Sequence, residues 1–335
     1  MNERLDLAQT EQFTQNDNVV DSETHYSYTS TDAPVSVAVL LSTYNGAAFI
    51  EELLESVLSQ EGVLVRLFAR DDGSTDDSLA ILQRYAKMHD NIVLLAGNNV
   101  GVVKSFNTLI TIPEVGLCDY IAFCDQDDVW MKDKLHAAVN QLHKFEANEC
   151  PLLYCSNLMV VDEMLQPSCK MRQYKVTPKK THILIQNIGT GCTEVFNQGA
   201  RQLYLLGVGS DMEMHDYWMA LVCVFMGRLV YDDEPHILYR QHTGNVVGAK
   251  RKSITDAIGG LFARTKSHRI AMLKDFLKAY DGILNPKDRK LIAVVANCRE
   301  SFLARMRLAF SPRYVGFTTW ATIGFKAGVF LNKIN

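Results

Sequence analysis

The feature that most limits what this chain can fold into is an alternation of apolar runs and helical patterns across its first 130 residues. Val35–Leu41 is almost continuously apolar, the pattern of a strand buried on both faces of a parallel sheet. A helix follows over about residues 47–60, with Phe49, Ile50, Leu53, Leu54, Val57 and Leu58 on one side. Next come a strand, Val63–Ala69, and a helix carrying Leu79, Ile81, Leu82 and Tyr85, with Ser74 or Thr75 at hand as its cap. Ile92–Leu95, a helix near 102–112 and Tyr120–Cys124 complete the series. Such a β-α-β-α-β-α-β order specifies parallel strands with helices on the sheet faces. Polar loops follow the first, second and fourth strands, where ligands of open α/β sheets bind, so a nucleotide-type site is expected there.

A chain of 335 residues suits two domains, or one large domain with an appendage. The 38 acids and 34 bases nearly cancel, to a formal charge of −4, which excludes a global basic field for nucleic acid. Eight scattered cysteines form no CxxC pair. That argues against a zinc ribbon and for reduced core thiols of a cytosolic protein. Residues 1–33 are polar and are expected to form a disordered or loosely packed extension. No apolar signal region and no long apolar run occurs, and the apolar helix at Tyr217–Met226 is too short to span a bilayer. The P-loop GxxxxGK[ST], a GxGxxG after the first strand, the GxSxG elbow and the HExxH helix are all absent.

Chemistry concentrates in four places. Asp125-Gln126-Asp127-Asp128 directly follows a strand. Two carboxylates two residues apart in extended chain face the same way and suit Mg²⁺ or Mn²⁺ with a diphosphate, although a solvated acidic turn has the same composition. Asp71-Asp72-Gly73-Ser74 also ends a strand, where a carboxylate could accept from a base N–H or a ribose hydroxyl, or simply close a turn. Asp216, in Met214-His215-Asp216-Tyr217-Trp218, begins the apolar helix. There it is either a dipole-stabilised residue or a general base whose pKa the neighbouring aromatic residues raise. In Tyr239-Arg240-Gln241-His242-Thr243-Gly244-Asn245, Arg240 and His242 could contact phosphate or complete a metal shell.

Taken in order, VSVAVLLSTYNG (35–46), DDGSTD (71–76), NNVG (98–101), FCDQDD (123–128) and HDYW (215–218) resemble the inverting GT-A glycosyltransferases of family 2, in particular a rhamnosyltransferase-like branch that serves bacterial polysaccharide and O-antigen synthesis. The resemblance covers about residues 35–250. It implies a GT-A fold: a Rossmann-like, mostly parallel sheet flanked by helices, with a helical C-terminal region. It implies a nucleotide-diphospho-sugar donor, with Thr43 and Tyr44 lining the nucleoside pocket and Asp72, beside Asp71, holding the base. Asp127 would ligate the cation, Asp125 would lie by the ribose or the metal, and Asp216 would deprotonate the acceptor hydroxyl. Arg240 is assigned to the donor, His242 to the metal, and Thr190, Tyr217 and Trp218 to the acceptor. Gln126 stands where many relatives carry an acid, and Cys192 is read as packing.

The resulting expectation is a catalytic domain over 34–248 and a basic, mainly helical region over 249–335. Between Asn285 and Asn335, nine bases (Lys287, Arg289, Lys290, Arg299, Arg305, Arg307, Arg313, Lys326, Lys333) face two acids, Asp288 and Glu300, with aromatic residues interleaved. That composition suits either peripheral contact with anionic lipid or helices packed on the core. The expected activity is metal-dependent, inverting transfer of a sugar to a hydroxyl of a growing, lipid-linked cell-surface glycan at the cytoplasmic face of the membrane. L-rhamnose from dTDP-rhamnose is the first choice and a UDP-hexose the second. A sugar nucleotidyltransferase is disfavoured, because the loop after the first strand lacks the Gly-rich, basic composition. A non-catalytic nucleotide-sugar scaffold would have no use for Asp216.

Overall fold

The buried apolar runs become the middle of one large sheet in the computed structural model, which describes residues 34–145, 150–242 and 268–334. β1 (Ser36–Thr43) pairs in parallel with β2 (Leu64–Asp71) and β4 (Tyr120–Cys124), and β3 (Ile92–Ala96) extends the sheet beyond β2. The period of two divides β1 between the faces. Ala38 and Leu40 join the core on one side, Val37, Val39 and Leu41 that on the other. Helices α1 (Ile50–Leu58), α2 (Ser78–Met88) and α3 (Val102–Ile110) make the crossovers. α2 begins later than Ser74 or Thr75, and neither residue caps it. Both are engaged by Asn45 in the loop after β1: its backbone N–H donates to Ser74 Oγ at 3.0 Å, and its side-chain oxygen accepts from the Thr75 N–H at 2.8 Å.

Past β4 the sheet becomes mixed. In chain order come β5 (Val129–Trp130), α4 (Lys134–His143), β6 (Leu152–Val161), β7 (Pro167–Lys170), the short α5 (Lys180–Ile183), β8 (Val195–Asn197), α6 (Gln198–Leu206), α7 (His215–Met226) and β9 (Arg228–Arg240). β8 lies antiparallel between β4 and β6, β9 runs parallel to β6, and β5 and β7 add antiparallel edges. The parallel expectation therefore holds for β3-β2-β1-β4, while the second half departs from it. Helices lie between β6 and its parallel neighbour β9, whereas β6 and β7 are joined by a tight turn, which forces an antiparallel pair.

α7 is buried nearly all round, with ten of its residues buried, as an apolar helix inside a large protein must be. Helices Arg269–Ala279 and Pro286–Ala296 pack into the same core. Trp218 Nε1–H donates to Tyr280 Oη at 2.9 Å, and Tyr280 donates onward to the Leu203 carbonyl. The last helices, Phe302–Ala309 and Thr319–Phe330, keep Phe302, Leu303, Phe310 and Trp320 exposed. Six of the eight cysteines are buried free thiols, whereas Cys150 is half-buried and Cys169 lies on the surface of β7. The polar segment 1–33 and the stretch Thr243-Gly244-Asn245 lie outside the described residues.

Candidate active site

Three strand ends and one helix start meet around a cavity of about 420 Å³. At the end of β1, Thr43 is buried and Tyr44 exposed. Gln126, from the loop after β4, ties this end down. Its side-chain oxygen accepts from Thr43 Oγ1 and from the Tyr44 N–H, each at 2.8 Å, and its amide donates to the Tyr44 carbonyl at 3.2 Å. An acid could accept but could not donate, which gives the glutamine a local reason. A Cβ on Gly46 would sit 2.5 Å from the same amide oxygen, so the clamp also requires that glycine.

At the end of β2 the two acids separate. Asp71 turns inward and closes a turn, accepting from the Gly73 and Ser74 N–H groups. Asp72 faces the cavity, held by the Val100 and Gly101 N–H groups, each at 2.9 Å, and by a buried pair with Arg70. After β4, Asp125 and Asp127 line the cavity and Asp127 Oδ2 lies 2.8 Å from His242 Nε2. Asp128 turns into the core, beneath the cavity. Its neighbours there are the Cys192 thiol and the ammonium of Lys134, which lies 3.6 Å from the centre of the Trp130 ring. Burial pushes the Asp125 carboxyl up to about 7, and the charges of Asp127 and Asp216 add to the push. Burial also lowers Lys134 to about 8.

Asp216 sits in the first turn of α7. Its Oδ2 accepts from Asn187 Nδ2 and the Gly191 N–H, each at 3.1 Å, and its Oδ1 from the Tyr217 N–H at 2.6 Å. These bonds favour the ionised form, but burial outweighs them and lifts the carboxyl to about 6. Beside it His215 stacks on Phe106 at 3.9 Å and meets the edge of Phe123 at 4.6 Å. Burial drops its pKa to about 3, so the ring is neutral at physiological pH. Glu194, fully buried, is pushed well above the carboxylate range by burial, with Asp216 and Asp125 adding to the effect.

The cavity thus gathers Tyr44, Asp72, Asp125, Asp127, Thr190, Asp216 and His242, all named from the sequence. Five other named residues lie elsewhere. Thr43 and Asp71 are buried supports of their loops. Arg240 lies behind the Asp125–Asp128 loop: it donates to the Asp127 and Glu163 carbonyls, pairs with Glu52 and covers the Phe49 ring at 5.0 Å. Its charge is spent on holding that loop, so direct phosphate contact does not describe its position. Tyr217 donates to the Ile183 carbonyl and Trp218 to Tyr280, which places both rings in the core rather than on an acceptor surface. The buried all-round pattern of α7 turns them inward. Sequence reading missed Asn187, Glu194 and Lys134. Only Lys134 left a signal, standing at helical spacing with Ala138 and Leu142 on the apolar face of α4.

The cavity residues fit a divalent cation. Two carboxylates supply the hard oxygen donors that Mg²⁺ or Mn²⁺ takes, the imidazole adds a borderline nitrogen that suits Mn²⁺ better, and the neighbouring negative charge that adds to the burial of Asp125 is what a cation would relieve. Asp125, Asp128 and Cys192 also bring ligand atoms within 4.8 Å of one another. That set suits a hard cation less well, because Cys192 and Asp128 are fully buried and burial holds the thiol protonated.

A half-parallel sheet whose strand ends carry a carboxylate-lined cavity, completed by a buried carboxylate on a helix N-terminus, agrees with the GT-A fold that the resemblance implies. The family model for glycosyl transferase family 2 matches residues 38–204. The dTDP-rhamnosyl transferase RfbG of Shigella flexneri is 31% identical over 221 residues, which cover 62% of this chain and 74% of that protein. The UDP-Glc:alpha-D-GlcNAc-diphosphoundecaprenol beta-1,3-glucosyltransferase WfaP of Escherichia coli is 31% identical over 115 residues, 34% of this chain and 42% of that protein. Among solved structures, S. aureus TarS 1-349 in complex with UDP-GlcNAc aligns over 89% of this chain and 91% of its own, with a TM-score of 0.48 and 15% identity. The chain belongs to glycosyl transferase family 2 and is a glycosyltransferase.

Proposed function

We propose that the protein is an inverting transferase that moves L-rhamnose from dTDP-rhamnose to a hydroxyl of a lipid-linked surface glycan precursor. The observation that carries the reaction is Asp216, a buried carboxylate pushed up to about 6 and lining the same cavity as Asp125 and Asp127. A carboxyl poised near working pH is ionised yet basic enough to take a proton. In this reading Tyr44 and Asp72 receive the nucleoside, Asp72 accepting through lone pairs that its backbone donors leave free. Asp216 accepts the proton of the acceptor hydroxyl as that oxygen bonds to the anomeric carbon. The anomeric C–O bond to the diphosphate breaks on the opposite face, its electron pair leaves with the nucleoside diphosphate, and configuration inverts. Asp125, Asp127 and His242 would hold a divalent cation, which would supply positive charge to the departing diphosphate. Asn187 and the Gly191 N–H hold Asp216 in its orientation, and neutral His215 offers an uncharged wall beside it.

The choice of dTDP-rhamnose rests on the likeness to RfbG, and a lipid-diphosphate acceptor on the likeness to WfaP, whose name also supports a UDP-hexose as the second donor. No helix among the described residues is long and apolar enough to cross a membrane. The exposed Phe302, Leu303, Phe310 and Trp320, set among Arg305, Arg307 and Arg313, support peripheral attachment at the cytoplasmic face. The test is a melting-temperature screen of dTDP-rhamnose, UDP-glucose and UDP-GlcNAc with Mn²⁺, with Mg²⁺ and with chelator, followed by anomeric assignment of the product by NMR. A cation-dependent rise with dTDP-rhamnose and an inverted product are expected. A rise confined to UDP-sugars moves the donor to the second choice, and a retained configuration removes Asp216 as the base.

A further inference from the structure

A second cleft, of about 580 Å³, opens where the segment after β7 passes β9. Lys170, Arg172 and Lys175 line it against one carboxylate, Asp233. Tyr231 lines it too, and its buried hydroxyl has no hydrogen-bond partner among the described residues. The segment is held in place by buried Asn157, whose side chain donates to the Arg172 carbonyl at 2.8 Å and accepts from the Arg172 N–H at 3.1 Å. The Arg172 guanidinium lies 5.8 Å from the centre of the Tyr231 ring and donates to the Asn187 and Ile188 carbonyls. Asn187 is the residue whose amide holds Asp216. One arginine therefore joins this cleft to the loop that orients the proposed base. Lys170 bonds to Glu234, which is exposed, so an incoming anion meets a weak, water-screened competitor. Lys175 makes no ion pair among the described residues.

We propose that this cleft holds the phosphate or diphosphate ester of the acceptor and so directs the acceptor sugar toward Asp216. The inference rests on the transferase reading above. The donor diphosphate is accounted for on the Asp125–Asp127 side, so a second cationic site beside the base loop serves the other substrate. Two lysines supply mobile point charge, and the Arg172 guanidinium, whose donors hold the Asn187 and Ile188 carbonyls, adds positive field at the cleft wall, a composition that suits phosphate esters. Tyr174, on the same wall, stacks on Phe317 at 6.2 Å, just before the final helix. That contact ties the cleft wall to the segment leading into the final helix, on which Trp320 is exposed.

The test uses the full chain with its donor site filled by dTDP and Mn²⁺, titrated with inorganic phosphate, pyrophosphate and farnesyl diphosphate. Parent protein and the double variant Lys170→Ala/Lys175→Ala are compared by calorimetry. Pyrophosphate is expected to bind the parent and to weaken about tenfold or more in the variant. Tighter binding of farnesyl diphosphate than of pyrophosphate identifies a lipid-linked ester as the source, and equal binding identifies the phosphate group alone. Equal affinity of parent and variant, or no pyrophosphate binding once dTDP is present, overturns the proposal. The melting-temperature rise with dTDP and Mn²⁺, read on both proteins, reports the donor site separately. Its absence in the parent would refute the dTDP donor assignment instead, and the titration is then repeated with UDP in the donor site.

Discussion

The half of the cavity proposed for the donor and the half proposed for the acceptor are built in opposite ways. On the donor side, Tyr44, Asp72, Asp125 and Asp127 stand at or just past the ends of β1, β2 and β4, three parallel strands in mutual register. Backbone hydrogen bonding alone brings those ends to one edge. On the acceptor side, Asp216 depends on irregular chain: Asn187 and Gly191 reach it from a loop, and Arg172 reaches that loop from another. Charge follows the same division. On the donor side burial lifts Asp125 to about 7, with the charges of Asp127 and Asp216 adding to it, a state a cation would relieve. The acceptor side keeps one carboxylate, satisfies it with three hydrogen bonds and tunes it to about 6 through burial. The first arrangement would be completed by positive charge from outside, as proposed above, whereas Asp216 already has its hydrogen-bond partners within the chain.

Substitutions can separate the two halves. Asp216→Asn keeps the shape and removes the base, so kcat should fall by roughly 10²–10⁴-fold while donor binding persists; stopped assays with donor-induced melting shifts read both. Unchanged turnover would end its role as base. Asp127→Ala is expected to abolish the cation-dependent part of donor binding and to lower transfer on the order of 10²-fold, the loss typical of a pre-organised electrostatic contact. Retained Mn²⁺ dependence in that variant would relocate the cation. In the parent, kcat/KM should rise with pH through about 6 and then level, because Asp216 acts only when ionised. Asn187→Ala deletes a hydrogen bond that favours the ionised form, so the limb should move upward by about one pH unit, with only a few-fold loss at pH 8. A limb that stays in place would detach Asn187 from the base. The smallest catalytic effect belongs to Trp218→Phe. It loses the bond to Tyr280 and packing against Gly207, so stability should drop by about 1–3 kcal/mol in urea denaturation while acceptor KM is unchanged.

These expectations also mark how far the sequence could be read. The strand ends were legible because a fully buried strand must be apolar throughout and the polar residues that interrupt the pattern must then fall at its end. Val35–Leu41 and Tyr120–Cys124 show this directly. Asp216 was legible as the first polar group of an apolar helix. Tyr217 and Trp218 were misplaced because neighbouring residues on a helix point in different directions, and only the packing of Tyr280 and Phe276 shows which side is core. Arg240 looked like a phosphate ligand from its motif, yet Glu52, more than 180 residues away in sequence, claims its charge.

By itself, then, the sequence determined the parallel half of the sheet, the positions of its acidic strand ends and the family, since each rests on short-range pattern or on the order of motifs along the chain. The tertiary structure alone decided that Asp72 rather than Asp71, and Asp125 and Asp127 rather than Asp128, face the cavity, that Asn187 and Gly191 hold Asp216, and that Lys170, Arg172 and Lys175 share a cleft. Those depend on contacts between distant segments, where burial and competing partners, rather than residue type, set the direction and charge of a side chain.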